Sequence, residues 1–456
     1  MKFKQSDIDR VLDANCIEDV IGEYLHLKKE GSRYKCLCPI HNEKTPSFVV
    51  TPSMNIYKCF SCGASGNAIT FLTHVQGMSF VEAVKYLAKK ANIQLHAEDE
   101  PTSPEEEERE RKFDLAKRIN EEAAKFFKEQ LYGDNQKAKF ALTYAENRWG
   151  KEFVKTSKIG FAPGHNAFLQ WAKGKGYSVD FLIEIGLLKK SEEGKIYDAF
   201  FDRITMPVCS RSNQILGFTA RVLNDSKPKY INSPESFIFH KSKTIFGIEV
   251  ATRSMAAEGI IYLVEGAPDV YRLHSIGVPN AVASLGTAWS DEQYDFLKKY
   301  NAAVCFIPDI DPPKGGVQFG PGIIAVMKNG AKAVKAGLTV LVKEIHPESA
   351  DEKADADSYI KSKAILESIP NEDFIEWYTR KKGQDKTSAA ERANVLSEVS
   401  ELLAKVANKN YQNILEKKIG KILGIPQSII QNSVNEKIKE NSMSSDKGDS
   451  KLMNKE

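Results

Sequence analysis

The chain has 456 residues, of which 42% are hydrophobic and 27% are charged, and its formal net charge is +3 at pH 7. This composition is ordinary for globular protein, and the length favours about three domains. The small net charge excludes binding of nucleic acid through bulk charge, so any such affinity must come from local patches. The seven cysteines are too few and too unevenly spaced for a disulfide framework. With no signal peptide and no stretch long enough to cross a bilayer, we expect a cytoplasmic protein that does not bind membranes.

Two short clips of metal-binding residues lie near the N-terminus. Cys38 and His41 are separated by two residues, Cys59 and Cys62 have the same spacing, and seventeen residues lie between the two pairs. Each clip can turn both of its side chains toward one ion, and two clips complete the closed tetrahedral shell of a structural Zn²⁺. We therefore predict one structural zinc ion per chain. The alternatives are a disulfide or four unrelated residues; Cys36 could compete as a ligand, but it has no clip partner of its own.

The segment between the clips predicts a β-hairpin, with strands at residues 47–50 and 55–58. Residues 28–68 contain six basic and two acidic residues, interleaved with four aromatic ones: Tyr34, Phe48, Tyr57 and Phe60. This combination suits single-stranded nucleic acid, because cations follow phosphates and aromatic faces accept bases. The alternative is that the aromatic residues form the small core of the hairpin, which we expect for at least half of them.

Apolar strands alternate with helices between about residues 259 and 346. The runs 259–264, 302–307 and 338–342 predict buried parallel strands, and ligands in open α/β sheets bind beyond the carboxyl ends of such strands. Acids follow these ends: Glu265, Asp269, Asp309, Asp311, Asp355 and Asp357. Each acid taken alone is more often a helix cap or a turn residue than a ligand. Carboxylates that converge on one crevice repel one another unless cations neutralise them, so the set predicts a Mg²⁺ or Mn²⁺ site.

The zinc clips and the acid pattern together resemble those of a known family. The zinc clips resemble the zinc-binding domain of bacterial DnaG-type primases, and the acid pattern resembles their Toprim domain. Other segments that resemble family motifs are residues 160–164, 202–207, 217–223, 228–235, 240–241 and 283–287. The similarity covers roughly residues 1 to 435.

The resemblance implies a multidomain α+β and α/β fold. We expect an N-terminal zinc ribbon, a mixed α+β polymerase subdomain, a Rossmann-like Toprim domain with a parallel sheet, and a short C-terminal helical bundle. The expected segments are a zinc-binding domain 1–96, an acidic linker 97–112, a polymerase subdomain 113–257, a Toprim domain 258–369, a helical subdomain 370–436 and a disordered tail 437–456.

The function that the resemblance implies is DNA primase, a DNA-dependent RNA polymerase that makes short RNA primers de novo on single-stranded DNA. The implied catalytic residues are Glu265, Asp309, Asp311 and Asp269, with Glu265 as a metal ligand or general acid/base. The implied Mg²⁺ or Mn²⁺ ligands are Glu265, Asp309, Asp311, Asp355 and Asp357. The implied nucleotide or template residues are Arg221, Lys229, Tyr230, Asn232 and Lys241. The implied partners are ribonucleoside triphosphates, a replicative helicase and single-strand-binding protein, and we expect a monomer.

Two features depart from the family pattern. Where the family has an Asp-Gly-Asp turn, this chain has Asp309-Ile310-Asp311 followed by a segment rich in proline and glycine. Ile310 does not favour the left-handed conformation that glycine adopts cheaply, so the geometry at Asp311 is expected to differ. Family members also add a helicase-binding domain, whereas residues 371–436 are expected only to complete the polymerase core. We expect residues 437–456 not to bind a helicase.

Two rival functions fit parts of the sequence. A Toprim topoisomerase or nuclease would use a similar acid set, and a topoisomerase would need a nucleophilic tyrosine. A zinc-dependent DNA-binding module with an incidental α/β domain would bind DNA without metal-dependent synthesis. A fused helicase is disfavoured because no Gly-x4-Gly-Lys-Ser/Thr loop occurs in the sequence.

Overall fold

The computed structural model describes residues 3–96, 104–211, 213–224, 226–252, 254–286, 288–298, 300, 302–313, 315–347, 349, 353–383, 386 and 388–452. The chain forms two compact units: Met1–Gly259 with Gly277–Leu285, and Ile260–Ile276 with Gly286–Glu456. In the part of the chain that is described, no helix is long and apolar enough to cross a membrane.

The N-terminal segment is a small antiparallel sheet with helices before and after it. Its elements are α1 (Gln5–Ala14), α2 (Ile17–Gly22), β1 (Lys28–Glu30), β2 (Arg33–Cys36), β3 (Phe48–Thr51), β4 (Ile56–Cys59), β5 (Ser65–Gly66), α3 (Ala68–Val75) and α4 (Phe80–Lys90). The strand order is β1-β2-β3-β4-β5. The predicted hairpin is β3–β4, closed by a turn of 3₁₀ helix at Pro52–Met54. Asn67 and Ser79 cap α3 and α4 through their side chains.

The rest of the first unit is a mixed α+β structure. Its elements are α5 (Pro104–Leu131), α6 (Gln136–Trp149), α7 (Lys151–Thr156), β6 (Gly160–Ala162), α8 (Ala167–Gly174), α9 (Val179–Glu184), β7 (Leu188–Lys190), β8 (Ile196–Asp198), β9 (Arg203–Cys209), β10 (Ile215–Val222), β11 (Tyr230–Asn232), β12 (Ile245–Phe246), α10 (Ile248–Ala251) and α11 (Met255–Glu258). One sheet has the strand order β11-β10-β9-β6. Strand β9 is buried along its whole length, because α5 covers the sheet that it shares with β6 and β10.

The second unit is built on parallel strands. Its elements are β13 (Ile260–Val264), α12 (Ala267–Ser275), α13 (Asp291–Lys298), β15 (Ala303–Phe306), α14 (Pro321–Lys335), β16 (Val340–Val342), α15 (Ala356–Tyr359), α16 (Lys363–Ser368) and β17 (Glu372–Asp373). Strand β14 (Ala281–Ser284), which comes between α12 and α13 in the sequence, belongs to the first unit. Strands β13, β15 and β16 pair in parallel, and β17 pairs antiparallel to β16. These are the three strands that the apolar runs predicted.

Helices complete the second unit. They are α17 (Phe374–Gly383), α18 (Ala389–Leu403), α19 (Lys409–Leu423) and α20 (Gln427–Leu452). The apolar spacing in this region predicted helices with one buried face, and Val399, Leu403 and Ile419 are indeed fully buried. The zinc-ligand cluster described below, the mixed subdomain, the parallel sheet and these helices confirm the predicted fold class.

Parts of two segments that were expected to be a linker and a disordered tail are helical in the structure. Helix α5 begins at Pro104, so residues 104–112 of the expected linker are helical, and residues 97–103 lie outside the described part. The proline at the first position and the glutamates that follow it suit a helix N-terminus. Helix α20 continues to Leu452, so the expected disorder is wrong for residues 437–452, while residues 453–456 are not described. A polar segment without proline can extend a helix whose first turns are held by the buried Ile430 and Val434.

Candidate functional site

The two predicted zinc clips meet in the N-terminal sheet. Ligand atoms of Cys38, His41, Cys59 and Cys62 all lie within 4.8 Å of one another. The Sγ atoms of Cys38 and Cys62 are 3.9 Å apart. Two sulfurs each about 2.3 Å from a tetrahedral zinc would be about 3.8 Å apart. The donor set and its spacing therefore fit Zn²⁺, and Cys36, which is buried on β2, lies outside this group.

Backbone N–H groups donate to two sulfurs of the cluster, of which Cys59 has a lowered pKa, whereas burial raises the pKa of Cys38 to about 11. The backbone N–H of Cys62 donates to Cys59 Sγ, and that of Ile40 donates to Cys38 Sγ, both at 3.4 Å. Burial alone would raise the pKa of the Cys59 thiol, but hydrogen bonds from Cys62, Ser47 and Ser61 lower it to about 6. A thiolate is the form that binds zinc.

Glu43 supports the cluster, and the sequence analysis missed it. His41 presents Nδ1 to Cys59 Sγ at 3.9 Å, while its Nε2 lies 3.2 Å from the Glu43 carboxylate. Glu43 also accepts hydrogen bonds from the backbone N–H groups of Cys38 at 2.8 Å and Ser47 at 3.0 Å. A carboxylate behind a metal-binding histidine fixes the orientation of the ring. Its sequence signal is an acid two residues after the histidine of the first clip.

The aromatic residues of this segment divide into a core and a surface. Phe48 and Tyr57 are buried and stack with ring centroids 4.8 Å apart, so the core interpretation holds for both. Tyr34 is half-buried. Phe60 is 64% exposed, and the Lys58 ammonium lies 5.4 Å from the centroid of its ring. Phe60 with Lys58 is thus the pair that offers an accessible ring and a cation together.

Three of the predicted nucleotide or template residues lie close together: Arg221 on β10, Tyr230 on β11 and Lys229 directly before β11. Arg221 is opposite Tyr230 in the antiparallel pairing, and its Nε donates to the Tyr230 hydroxyl at 3.1 Å. Lys229 Nζ lies 5.9 Å from the centroid of the Tyr230 ring, which is 39% exposed. The Asn232 amide instead donates to the Leu285 carbonyl at 2.9 Å, so this side chain is already engaged within the first unit.

The same surface includes residues of α6 that the sequence analysis missed. The Arg221 guanidinium lies 5.2 Å from the ring centroid of Tyr144, and the Tyr144 hydroxyl accepts a hydrogen bond from Arg148. We call Tyr144, Arg148, Arg221, Lys229 and Tyr230 the basic aromatic surface. The sequence signal was a tyrosine and an arginine four residues apart on one helix face. Lys241, whose backbone N–H donates to Glu235 at 3.1 Å, is not part of this definition.

A buried arginine holds the loop that carries Lys229. The Arg203 guanidinium donates to the carbonyl of Pro228 at 2.9 Å and to that of Lys229 at 3.2 Å. Burial lowers the pKa of Arg203, but the group remains charged at any pH of interest because the ordinary pKa of arginine is so high. Arg203 therefore fixes the backbone from which the Lys229 and Tyr230 side chains project.

In the second unit, the predicted acids follow adjacent strands. Glu265 comes directly after β13, and Asp309 and Asp311 follow β15, which pairs with β13 in parallel. Glu265 and Asp309 lie near enough for each to influence the pKa of the other. The structure thus brings Glu265 and Asp309 into contact at the carboxyl edge of the sheet, where α/β folds bind ligands.

The electrostatics of these acids favour a cation. Burial raises the pKa of Asp309, and the negative charges of Asp269, Glu265 and Asp355 raise it further. Burial raises the pKa of Glu265 more than its polar contacts with Asp309 lower it, and the negative charges of Asp311 and Asp355 raise it further. Ionising both carboxyls is costly unless a positive charge stands between them. Their oxygens are the hard ligands that Mg²⁺ and Mn²⁺ prefer, so the residues present fit a divalent metal.

The remaining predicted acids have distinct surroundings. Asp355 caps α15 by accepting a hydrogen bond from the Ser358 N–H at 2.6 Å. Asp269 accepts hydrogen bonds from the N–H groups of Gly266 and Asp357, both at 3.1 Å. The Asp357 carboxylate lies 3.4 Å from the guanidinium of Arg272, which is buried with it and which the sequence analysis did not single out. Asp269 and Asp357 therefore join α12 to α15.

The departure from the Asp-Gly-Asp pattern has a structural explanation. Ile310 forms a β-bridge with Ala354, so the loop uses extended backbone at the position where the family has glycine. Glycines at the start of α14 allow the helix to approach this loop. A Cβ at Gly320 would lie 1.9 Å from the Asp311 carbonyl oxygen, and one at Gly322 would lie 2.2 Å from the Asp309 carbonyl oxygen and 2.7 Å from Glu265 Oε1.

We expect Gly322→Ala to weaken divalent-metal binding roughly tenfold or more, the scale typical of changes behind metal ligands. The added Cβ meets backbone at Asp309 and must displace either that loop or the first turn of α14. Titration with Mn²⁺, followed by electron paramagnetic resonance of the free ion, measures the change. Gly174→Ala is the matched control because a Cβ there meets nothing within 4 Å. If Gly322→Ala bound Mn²⁺ as tightly as the unaltered chain, helix α14 could move away from the loop without disturbing the acidic residues.

Sequence models of four families match the chain in order. They are a CHC2 zinc finger at residues 3–103, the DNA primase catalytic core N-terminal domain at 126–252, a Toprim-like domain at 262–360 and the DnaB-helicase binding domain of primase at 375–428. The last match overturns the expectation that residues 371–436 only complete the polymerase core. Apolar spacing alone does not distinguish a helical segment that closes a core from one that also binds a partner.

Similar proteins agree with these matches. The chain is 36% identical over 413 residues to a DNA primase of Halalkalibacterium halodurans, covering 89% of this chain and 66% of that protein. It is 40% identical over 305 residues to a DNA primase of Clostridium acetobutylicum, covering 67% of this chain and 50% of that protein. The chain thus spans about half to two thirds of the length of these two relatives.

Solved structures give the same picture. The zinc-binding and RNA polymerase domains of the Aquifex aeolicus primase are 28% identical to the chain with a TM-score of 0.57, covering 94% of this chain and 99% of that one. A DNA primase domain from Pseudomonas aeruginosa is 26% identical with a TM-score of 0.57, covering 70% of this chain and 99% of that one.

Proposed function

The chain belongs to the family of DnaG-type bacterial DNA primases, and we propose that it synthesises short RNA primers de novo on single-stranded DNA. The observation that carries this proposal is the pair of carboxyls at the ends of two adjacent parallel strands, Glu265 and Asp309, within the field of Asp311 and Asp355. Such a set binds the divalent ions that nucleotidyl transfer requires. The zinc cluster and the basic aromatic surface support the proposal, because a primase must also hold a template.

The acids divide into ligands and supports. We propose that Glu265, Asp309, Asp311 and Asp355 hold the metal, because their charges act on one another. The charge of Asp269 also acts on Asp309, but both of its carboxylate oxygens already accept hydrogen bonds from the N–H groups of Gly266 and Asp357. A bound Mg²⁺ or Mn²⁺ would orient the triphosphate of a ribonucleotide and offset the charge that develops at the α-phosphate and on the leaving pyrophosphate. Asp269, Asp357 and Arg272 keep α12 and α15 in the positions from which the ligands project. Asp357, which the sequence analysis placed among the ligands, is therefore proposed as a positioning residue.

Template binding is proposed for two surfaces of the first unit. The basic aromatic surface offers arginine and lysine charges for phosphates and the exposed ring of Tyr230 for a base. Phe60 beside Lys58 offers the same combination on the zinc-binding segment. Asn232 and Lys241 remain candidates for nucleotide contacts through the family resemblance alone.

We expect Arg221→Gln to weaken binding of single-stranded DNA about tenfold and to reduce the salt dependence of binding by about one phosphate contact. Arg221→Lys keeps the charge but loses the planar group that stacks on Tyr144, so it should weaken binding while leaving the salt dependence unchanged. Fluorescence anisotropy with a labelled oligonucleotide at several salt concentrations measures both effects. Lys189→Gln, which removes an exposed charge on β7, is the control. If Arg221→Gln and the unaltered chain bound single-stranded DNA with equal affinity, the basic aromatic surface would not be a template-binding surface.

Helicase docking is proposed for the helices α17 to α19, which the helicase-binding family model covers. Residues 437–456 lie beyond that match, and we propose that the helicase contact does not depend on them. We further propose that the protein works in the cytoplasm as a monomer, alongside single-strand-binding protein, with Mg²⁺ as the usual metal and Mn²⁺ as a substitute.

A primer-synthesis assay tests the proposed function. The chain, single-stranded DNA, labelled ribonucleoside triphosphates and Mg²⁺ or Mn²⁺ should give short RNA whose formation needs the template but no added primer. A topoisomerase would instead relax supercoiled DNA, and a DNA-binding module would bind the template without synthesis. Either of those results, with no RNA formed, would contradict the proposal.

A further inference from the structure

Two loops of the second unit are joined by a short β-bridge that fixes their side chains opposite one another. Ile310 N–H donates to the Ala354 carbonyl at 2.7 Å, and Ala354 N–H donates to the Ile310 carbonyl at 3.0 Å. Because the pairing is antiparallel, Asp309 lies opposite Asp355 and Asp311 lies opposite Lys353. The bridge that brings two acids together therefore also places a cation beside a third.

Lys353 forms a direct ion pair with this third acid. Its Nζ hydrogen-bonds to Asp311 Oδ1, and its charge also acts on Asp309 and Asp355. The Lys353 side chain is 68% exposed, whereas Asp311 is 28% exposed. An ammonium on a flexible stem, open to solvent, can leave the carboxylate without any change in the backbone. The backbone itself is held by the two hydrogen bonds of the bridge.

We propose that Lys353 is a built-in counter-ion, which competes with the divalent metal for Asp311 and so raises the metal concentration that the site requires. This inference rests on the proposed function of the acids as metal ligands. A carboxylate oxygen held by an ammonium is a poorer metal ligand, because the lone pairs and the charge that would bind the metal are shared. An ion pair that is exposed to solvent is weak, so a divalent ion can displace the ammonium, although at some cost in affinity.

The competition also has a structural consequence. Asp311 belongs to the loop that replaces the Asp-Gly-Asp turn of the family and that leads into a segment rich in proline and glycine. The ion pair with Lys353 holds the carboxylate near its neighbours before a metal arrives. Lys353 thereby offsets part of the mutual repulsion of the acids and lowers the net attraction of the site for cations.

Binding of Mn²⁺ to the full chain tests the inference. The free ion is measured by electron paramagnetic resonance for the unaltered chain, Lys353→Gln, Lys353→Arg and Lys363→Gln. We expect Lys353→Gln to bind Mn²⁺ about two- to fivefold more tightly. Lys353→Arg keeps the competing charge and should bind no more tightly than the unaltered chain. Lys363→Gln removes another exposed lysine, which pairs with Glu367 at 3.9 Å, so it controls for net charge alone.

The outcomes separate this inference from the function on which it rests. If Lys353→Gln bound Mn²⁺ only as tightly as Lys363→Gln, or less tightly than the unaltered chain, Lys353 would not compete with the metal. Asp309→Asn is included as a second reference and should lose most of its Mn²⁺ binding. If Asp309→Asn bound Mn²⁺ like the unaltered chain, the acids themselves would not be the metal site. If it lost binding while Lys353→Gln showed no gain, only the role of Lys353 would be wrong.

Discussion

Asp309→Asn and Glu265→Gln should each reduce primer synthesis by roughly a hundredfold to a thousandfold, the scale of losing one group that stabilises charge in a transition state. Both changes replace a charged ligand by a neutral amide of nearly the same shape. Glu265 and Asp309 follow adjacent parallel strands and act on each other's pKa, so the loss of either leaves an incomplete metal site. Primer yield at several Mg²⁺ and Mn²⁺ concentrations measures the effect.

The same variants should bind template normally and fold stably. The charges proposed for template binding lie on the first unit and remain unaltered. Asp295→Asn is the matched control, because it removes an exposed carboxylate from α13 in the same unit. Either ligand variant making primers at the rate of the control, across both metal titrations, would show that the acids are structural.

Asp309→Asn should also be more resistant to thermal unfolding than the unaltered chain when metal is removed with a chelator. The pKa of Asp309 is raised in the folded protein, chiefly by burial and then by Asp269, Glu265 and Asp355. A carboxyl with a raised folded-state pKa contributes stability below its unfolded-state pKa, and that contribution is lost as the pH rises through the folded-state value. The asparagine variant lacks this ionisation, so its advantage should grow as the pH rises.

Local spacing made the zinc cluster and the strands of the second unit predictable. The zinc ligands form two pairs, each separated by two residues, and a single turn of chain can bring both members of a pair to one ion: Cys38 with His41, and Cys59 with Cys62. The apolar runs before Glu265 and Asp309 predicted buried strands from the local sequence alone. Parallel strands end at one edge, so the proximity of these two acids followed from the strand assignment alone.

Partners that are distant in sequence could not be predicted in this way. Arg272 meets Asp357 across 85 residues, and Tyr144 meets Arg221 across 77, and neither pair has a characteristic spacing. Glu43 was missed for a different reason. It lies close to the zinc clips in sequence, but only the side-chain geometry shows that its carboxylate faces His41 Nε2.

Composition was least informative in the polar segments. The polarity of residues 437–452 indicated that they could not form a core of their own, but not whether a preceding helix would continue through them. Similarly, Ile414 and Ile422 fit the apolar period of α19, and yet the structure leaves them exposed while Ile419 is buried. Periodicity identifies the helix, whereas the packing of neighbouring helices decides which apolar residues are covered.

Cys59→Ser should abolish zinc binding and unfold the N-terminal sheet while the second unit stays folded. The strands β1 to β5 are two to four residues long. Such a small sheet depends on a metal, whose binding contributes about 10 kcal/mol or more in zinc-finger peptides. Elemental analysis should find close to one zinc ion in the unaltered chain and almost none in the variant, and limited proteolysis should cut the variant within residues 28–66.

Cys36→Ser is the matched control for this experiment. Cys36 is also buried in the N-terminal sheet, on β2, but it lies outside the four-residue cluster, so the variant should retain its zinc ion. Full zinc occupancy in Cys59→Ser together with loss of zinc in Cys36→Ser would show that Cys36, and not Cys59, is a zinc ligand. Because Phe48, Tyr57 and Phe71 form an aromatic core beside the cluster, proteolysis also shows whether that core holds the sheet without metal. We expect that it does not, because a core of this size supplies too little buried apolar surface to order a sheet of such short strands.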